Sequence, residues 1–142
     1  MPSFKIFDIA GSAMSAQSMR LNLVASNIAN ANTVSSSVNQ TYRSRQPVFA
    51  TELASAMGGG QGRDDGAAGV KVLGVVESQA PLRMEYQPDH PLANEDGYIF
   101  RPNVNTMEEM ANMMSAARSF EDNVNVINAA KQLMTQTLQM GA

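Results

Sequence analysis

Two proline-free stretches with heptad spacing, one at each end of the chain, decide most of what this sequence can become. Between Ile6 and Ala31, Phe7, Met14, Leu21 and Ile28 recur at one position, and Ala10, Gln17, Val24 and Ala31 follow three residues later. That is a single apolar stripe on one helix, interrupted only by Gln17. The rest of its surface is small or polar, with Ser12, Ser15, Ser18, Asn22, Ser26, Asn27 and Asn30, so other helices can approach closely.

The second stretch begins at Asn105 or Thr106, each followed three residues later by a glutamate, Glu108 or Glu109. This is the pattern of a capping box, and acidic residues in a first turn also suit the helix dipole. From there Met110, Ala117, Val124, Lys131 and Leu138 alternate with Met113, Phe120, Ile127 and Met134 at three-four spacing. The spacing predicts a coiled-coil seam, with Gly141 ending the helix.

Between the helices the helical period vanishes, first in the Ser-, Asn- and Thr-rich run 32–40. Gln46 to Ala50, Val70 to Glu77 and Pro81 to Tyr86 read as short strands. Residues 58–69 are glycine-rich and read as a flexible loop, while Gln87 to Pro91 and Asn94 to Gly97 are turn-forming. The expected organisation is therefore an N-terminal helix in 1–33, a connecting segment with a small β-rich insert in 34–104, and a C-terminal helix in 105–142. The fold class is mainly α, the terminal helices pairing as a coiled-coil hairpin.

The residues offer little to catalysis. With 142 residues there is room for one domain, and a net charge of -3 opposes binding to nucleic acid, which needs clustered Lys and Arg. Positive charge concentrates before residue 46 and acidic residues prevail after it, which suits a head-to-tail attraction between copies. The glycine-rich loop lacks the Lys-Ser or Lys-Thr of a phosphate loop, and Asp65 stands where a dinucleotide fingerprint needs its third glycine. His90 is the only histidine and there is no Cys, so neither a first-row metal site nor a nucleophile-histidine pair is expected. Glu108 with Glu109, and Glu121 with Asp122, are sequence neighbours that point to different sides of a helix and read as solvated charges or caps. No enzyme, cofactor or small-molecule substrate is indicated.

The apolar seams remain. In an ordinary protein they would form the core of a helical hairpin. Two helices packed on one seam leave much of each uncovered, so such a chain gains most of its stability from helices of other subunits. Assembly is the leading physical expectation.

The stretch SAMSAQSMRLNLVASNIANANT resembles the N-terminal signature of the flagellar axial proteins, the rod, hook and hook-associated family. The residues that carry it are Leu23, Ser26, Asn27, Ile28, Ala29, Asn30, Asn32 and Thr33. The segment from Gly97 to Leu138, with Gly-Tyr, Pro-Asn-Val-Asn and a Glu-Met pair, is similar to the C-terminal region of the short proximal rod subunits of that family, and YRSRQPVFA matches as well. Val34 and a run of Ser depart from the family where Gly or Pro often follows Asn-Thr.

The resemblance implies a structural subunit of the proximal rod, crossing the periplasm within the flagellar basal body. It implies assembly with copies of itself and other rod subunits, contact with the inner-membrane ring and its rod adaptor protein, and passage through the flagellar type III export apparatus without a cleaved signal. That last expectation agrees with the lack of a basic start followed by an apolar run, and of a membrane-spanning segment. The residues placed at the assembly interface are Phe7, Met14, Leu21, Val24, Asn27, Ile28 and Asn30 on the first helix, with Met110, Met113, Ala117, Phe120, Val124, Ile127, Met134 and Leu138 on the second. The alternatives are another rod or hook subunit, usually a longer chain, and a helical export adaptor or chaperone.

Overall fold

The computed structural model describes residues 2–53 and 68–141. Helix α1 spans Pro2–Asn30 and helix α2 spans Thr106–Met140, with four strands between them. Strand β1 (Arg45–Leu53) pairs antiparallel with β2 (Ala68–Glu77), and β3 (Arg83–Tyr86) pairs antiparallel with β4 (Tyr98–Arg101). The loop expected at 58–69 lies outside the described residues except for residues 68 and 69, which belong to β2.

Asn105 is the N-cap of α2: it has extended backbone, and its side chain accepts from the Met107 N–H at 3.2 Å. Thr106 is the first helical residue. Gly141 closes the other end, its N–H donating to the Thr137 carbonyl. The reciprocal half of the capping box does not involve Glu109, whose carboxylate turns inward instead.

α1 carries two adjacent covered faces. Ser12, Arg20 and Asn27 touch the β1–β2 hairpin: Ser12 Oγ accepts from the Val70 N–H at 3.1 Å, the Arg20 guanidinium lies 5.7 Å from the centre of the Phe49 ring, and Asn27 bonds the Arg45 backbone. Ala16, 2% exposed, and Leu23 lie on the same line by helical spacing. The second face is the heptad stripe itself: Ala10 and Val24 are buried, and Phe7, Met14, Gln17, Leu21, Ile28 and Ala31 are half-buried. Since α1 packs only on the hairpin and α2 among the described elements, this stripe faces α2. The helices run antiparallel, because Asn27 near the end of α1 meets Glu109 in the first turn of α2 and the two then pack extensively.

On α2 the covered residues include Glu109, Ala116, Asn123 and Ala130, alternating with Met113, Phe120, Ile127 and Met134. Half of the expected seam is thereby corrected by one residue: Met110, Ala117, Lys131 and Leu138 are exposed, and only Val124 of that set is half-buried. The physical reason is that α1 approaches α2 over small and polar side chains, with Ala116 fully buried, so hydrophobicity alone chooses the wrong neighbour.

The β1–β2 register runs from Arg45 opposite Glu77 to Leu53 opposite Ala68 and shifts between Val48 and Phe49. Pro47 is tolerated because each strand of a two-stranded sheet is an edge. β4 is an element that sequence patterning does not anticipate. The turn before it requires Gly97, whose φ is 80° and whose missing Cβ would stand 2.9 Å from the Tyr86 ring. Ser35 exchanges two backbone hydrogen bonds with Phe100 and so docks the connection after α1 onto β4. Beneath lie Ile99, Pro102 and Val104, all buried.

Candidate functional site

The densest side-chain chemistry in the described molecule is a polar node where both helices meet the insert. Asn27 is 0% exposed. Its Nδ2 donates to the Arg45 carbonyl at 2.9 Å and to Glu109 Oε2 at 3.1 Å, with Ser44 Oγ a longer third contact at 3.4 Å. Its Oδ1 accepts from the Tyr42 hydroxyl at 2.8 Å and the Arg45 N–H at 2.9 Å. One amide group therefore joins α1, the segment leading into β1, and α2, with every hydrogen-bonding position occupied. The assignment of its oxygen and nitrogen follows from the partners: two donors face one side, acceptors the other.

Asn103 repeats the device one strand away. Its Oδ1 accepts from the Ser44 N–H at 2.8 Å, and its Nδ2 donates to the carbonyls of Ala80 at 2.9 Å and Ser78 at 3.3 Å. The Pro-Asn-Val-Asn run thus alternates buried apolar residues, Pro102 and Val104, with polar ones that tie the insert together (Asn103) or cap α2 (Asn105). Asn30 closes α1: its Nδ2 donates to the Ser26 carbonyl, and its own carbonyl accepts from the Thr33 N–H and hydroxyl.

Electrostatics at the node are mixed. Burial pushes the Tyr42 hydroxyl above its ordinary pKa; Arg45 opposes this, and the carboxylates of Glu109 and Glu77 reinforce it. Arg45 stacks 5.6 Å from the centre of the Tyr42 ring and pairs with Glu77 at 3.2 Å. That ion pair is about half exposed, so water and salt screen it.

The arrangement holds elements together. Among the described residues, no three His, Cys, Asp or Glu side chains gather as a metal site requires, and no helix is long and apolar enough to cross a membrane. His90 sits in a turn, its Nδ1 accepting from the Leu92 N–H.

The structure covers Phe7, Met14, Leu21, Val24 and Ile28 on α1 and Met113, Phe120, Val124, Ile127 and Met134 on α2, and the two helices pack on each other. It leaves Met110, Ala117 and Leu138 outside. Asn27, expected at a contact between subunits, is turned wholly inward within its own chain. Glu109, expected as a solvated charge or cap, is 5% exposed. Sequence patterning does not mark Tyr42, Ser44, Arg45, Asn103 or Glu109 as members of a site. The sequence signals for them are the family-like segments they fall in, YRSRQPVFA for Tyr42, Ser44 and Arg45 and the stretch from Gly97 onward for Asn103 and Glu109, neither of which assigns them a role.

Residues 7–34 match the family described as "Flagella basal body rod protein", and residues 95–140 match "Flagellar basal body rod FlgEFG protein C-terminal". Over 141 residues, 99% of each chain, the sequence is 47% identical to the flagellar basal-body rod protein FlgC of Salmonella typhimurium (strain LT2). It is 48% identical to FlgC of Escherichia coli O6:H1 over the same share, and 32% identical to FlgC of Bacillus subtilis (strain 168) over 152 aligned residues, 99% of each chain. The matched regions contain Asn27 in one and Asn103 with Glu109 in the other, while Tyr42, Ser44 and Arg45 of the node lie between them. The chain belongs to the FlgC family, the structural proteins of the flagellar basal-body rod.

Proposed function

We propose that this chain works by lateral helix packing, its two terminal helices joining those of copies and of other rod subunits in a coiled-coil-like helical shaft that transmits torque. The supporting observation is the apolar surface that α2 leaves uncovered after α1 has packed. Met107, Met110 and Met114 are 76%, 47% and 71% exposed along one side of its first half, and Leu133, Leu138 and Met140 are 65%, 75% and 88% exposed near its end. Residue for residue from the Asn27–Glu109 contact, Pro2 stands level with Met134, so the last turn of α2 projects beyond α1. Apolar surface on this scale marks a contact site more often than a solvated face.

In this reading the subunit lies in the proximal rod across the periplasm, bears on the inner-membrane ring and its adaptor, and leaves the cytoplasm through the flagellar type III export apparatus. The division into an N-terminal axial helix (1–33), a connecting segment (34–104) and a C-terminal axial helix (105–142) belongs to the same proposal. The test is a strain producing Met110→Asp or Met114→Asp. The expectation is normal protein level and export, an isolated chain with parental helix content, and no rods among purified basal bodies. Intact rods in both strains would overturn the reading.

A further inference from the structure

We propose that the Asn27–Glu109 pair is a register lock, a polar contact that selects one axial alignment of α1 on α2 out of several that apolar packing alone would accept. The need for it is visible in the seam. Facing α1, α2 presents Met113, Phe120, Ile127 and Met134 at one heptad position and Ala116, Asn123 and Ala130 at the other. Moving either helix by seven residues brings the heptad positions into coincidence again, with Gln17 and Asn123 the polar members among mostly apolar ones, so burial discriminates weakly between alignments.

The node does discriminate. A slip that carries Asn27 to the level of Ala116 sets its amide against a methyl group. It also moves Glu109 level with residue 34, past the end of α1 at Asn30. Both polar groups are almost fully buried in the observed register, so the slipped one leaves desolvated groups without partners. A single buried polar pair at a helix seam is the best-attested use of such residues, and its effect is on alignment more than on stability.

The position of the lock adds to its reach. Asn27 also grips the backbone of Arg45, while Ser44 beside it is held by Asn103, two residues before the cap of α2. The alignment of the helices is thereby tied to the placement of the β insert. Resting on the rod-subunit reading, the lock fixes how far the end of α2 projects and where Leu133 and Leu138 stand for a neighbouring subunit.

The chain has no cysteine, so spin labels can be placed at will. Asp8 and Ala111 are both exposed. Counting from the Asn27–Glu109 contact, they lie about 25 Å apart along the helix axes, and a one-heptad slip changes that separation by about 10 Å. Pulsed electron-spin distance measurement on the purified Asp8→Cys/Ala111→Cys chain is expected to show one distance. Adding Glu109→Leu, which keeps Asn27 bound to the insert and adds apolar surface, is expected to yield a second population about 10 Å away in at least about a tenth of the molecules. Adding Glu109→Gln, whose side-chain oxygen still accepts from Asn27 Nδ2, is expected to restore the single distance.

A single unchanged distance in Glu109→Leu would overturn the lock, as would two distances in the parent or in Glu109→Gln. Loss of helix in Glu109→Leu would overturn it too, because a device that selects register costs alignment and not the fold. None of these readings depends on motility, so they stand apart from failure of the rod-assembly proposal.

Discussion

Asn27 and Glu109, 82 residues apart in sequence, meet at 3.1 Å between the two terminal helices, and the amide that makes this contact has no hydrogen-bonding position left free. The first and last elements of the chain are thus joined through one side chain at the end where the β insert also attaches.

Asn27→Asp is the sharpest single test of that junction. The change keeps an acceptor for the Tyr42 hydroxyl and the Arg45 N–H but puts a second carboxylate oxygen against Glu109 and the Arg45 carbonyl. A buried charge left without its partner costs about 3 to 5 kcal/mol, so unfolding in urea should begin at far lower concentration. Adding Glu109→Gln supplies a donor to the new carboxylate and should recover much of the loss. Equal stability of the parent and Asn27→Asp would show that the node bears little weight.

Much of this architecture is legible in the sequence, and the parts that are not share a cause. Local spacing finds both helices and the stripe on α1 and narrows the cap of α2 to Asn105 or Thr106, of which the structure takes Asn105. It misses β4, whose four residues Tyr98–Arg101 are too few to show alternation and owe their pairing to β3 and to the turn at Gly97. It shifts half the α2 seam by one position, because Met107, Met110, Met113 and Met114 put apolar residues on several sides of the first turns, while Glu109 and Asn123 occupy covered positions. A node assembled from residues 27, 42, 44, 45, 103 and 109 has no period to detect.

Tyr42 gives the node a pH dependence at the alkaline end. Its folded-state pKa is raised above the ordinary value of 10.0, chiefly by burial. The neutral hydroxyl is therefore favoured by folding, and its contribution is fully present below about pH 10 and lost as pH rises through the raised folded value. The difference in unfolding free energy between the parent and Tyr42→Phe should be constant from about pH 7 to about pH 10 and shrink above it. A difference that grows with pH would contradict the donor role of the hydroxyl toward Asn27.

Gln17 is the one polar interruption of the α1 stripe, and its Oε1 is buried without a hydrogen-bond partner. Replacing a desolvated, unsatisfied group by an apolar side chain of similar size removes a penalty of about 1 kcal/mol. Gln17→Leu should therefore raise the melting temperature of the purified chain by several degrees. A lowered melting temperature would mean that the amide has a partner worth more than the exchange. The assembly consequence is separable: rods that fail in Gln17→Leu cells, despite a more stable chain, would assign the amide to a contact with another subunit.

Packing between the helices and the chemistry of the turns lead to opposite expectations for substitution. Leu21 and Ile127 are half-buried on the facing stripes of α1 and α2, where a carboxylate would lose water without gaining a partner. His90 lies in a turn, where its ring nitrogen accepts from the Leu92 N–H two residues on. Leu21→Asp and Ile127→Asp should each cost several kcal/mol in the isolated chain and, because every copy in a helical assembly repeats the defect, abolish rods entirely. His90→Ala removes one exposed turn hydrogen bond, costing about 1 kcal/mol, and should leave swimming intact. Motility in soft agar, with electron microscopy of isolated basal bodies, separates the cases. Rods present in the two carboxylate variants would place the helix seam elsewhere. Rods absent in His90→Ala cells with normal export would turn the surface around residues 87–97 into a contact that the packing of this chain alone does not reveal.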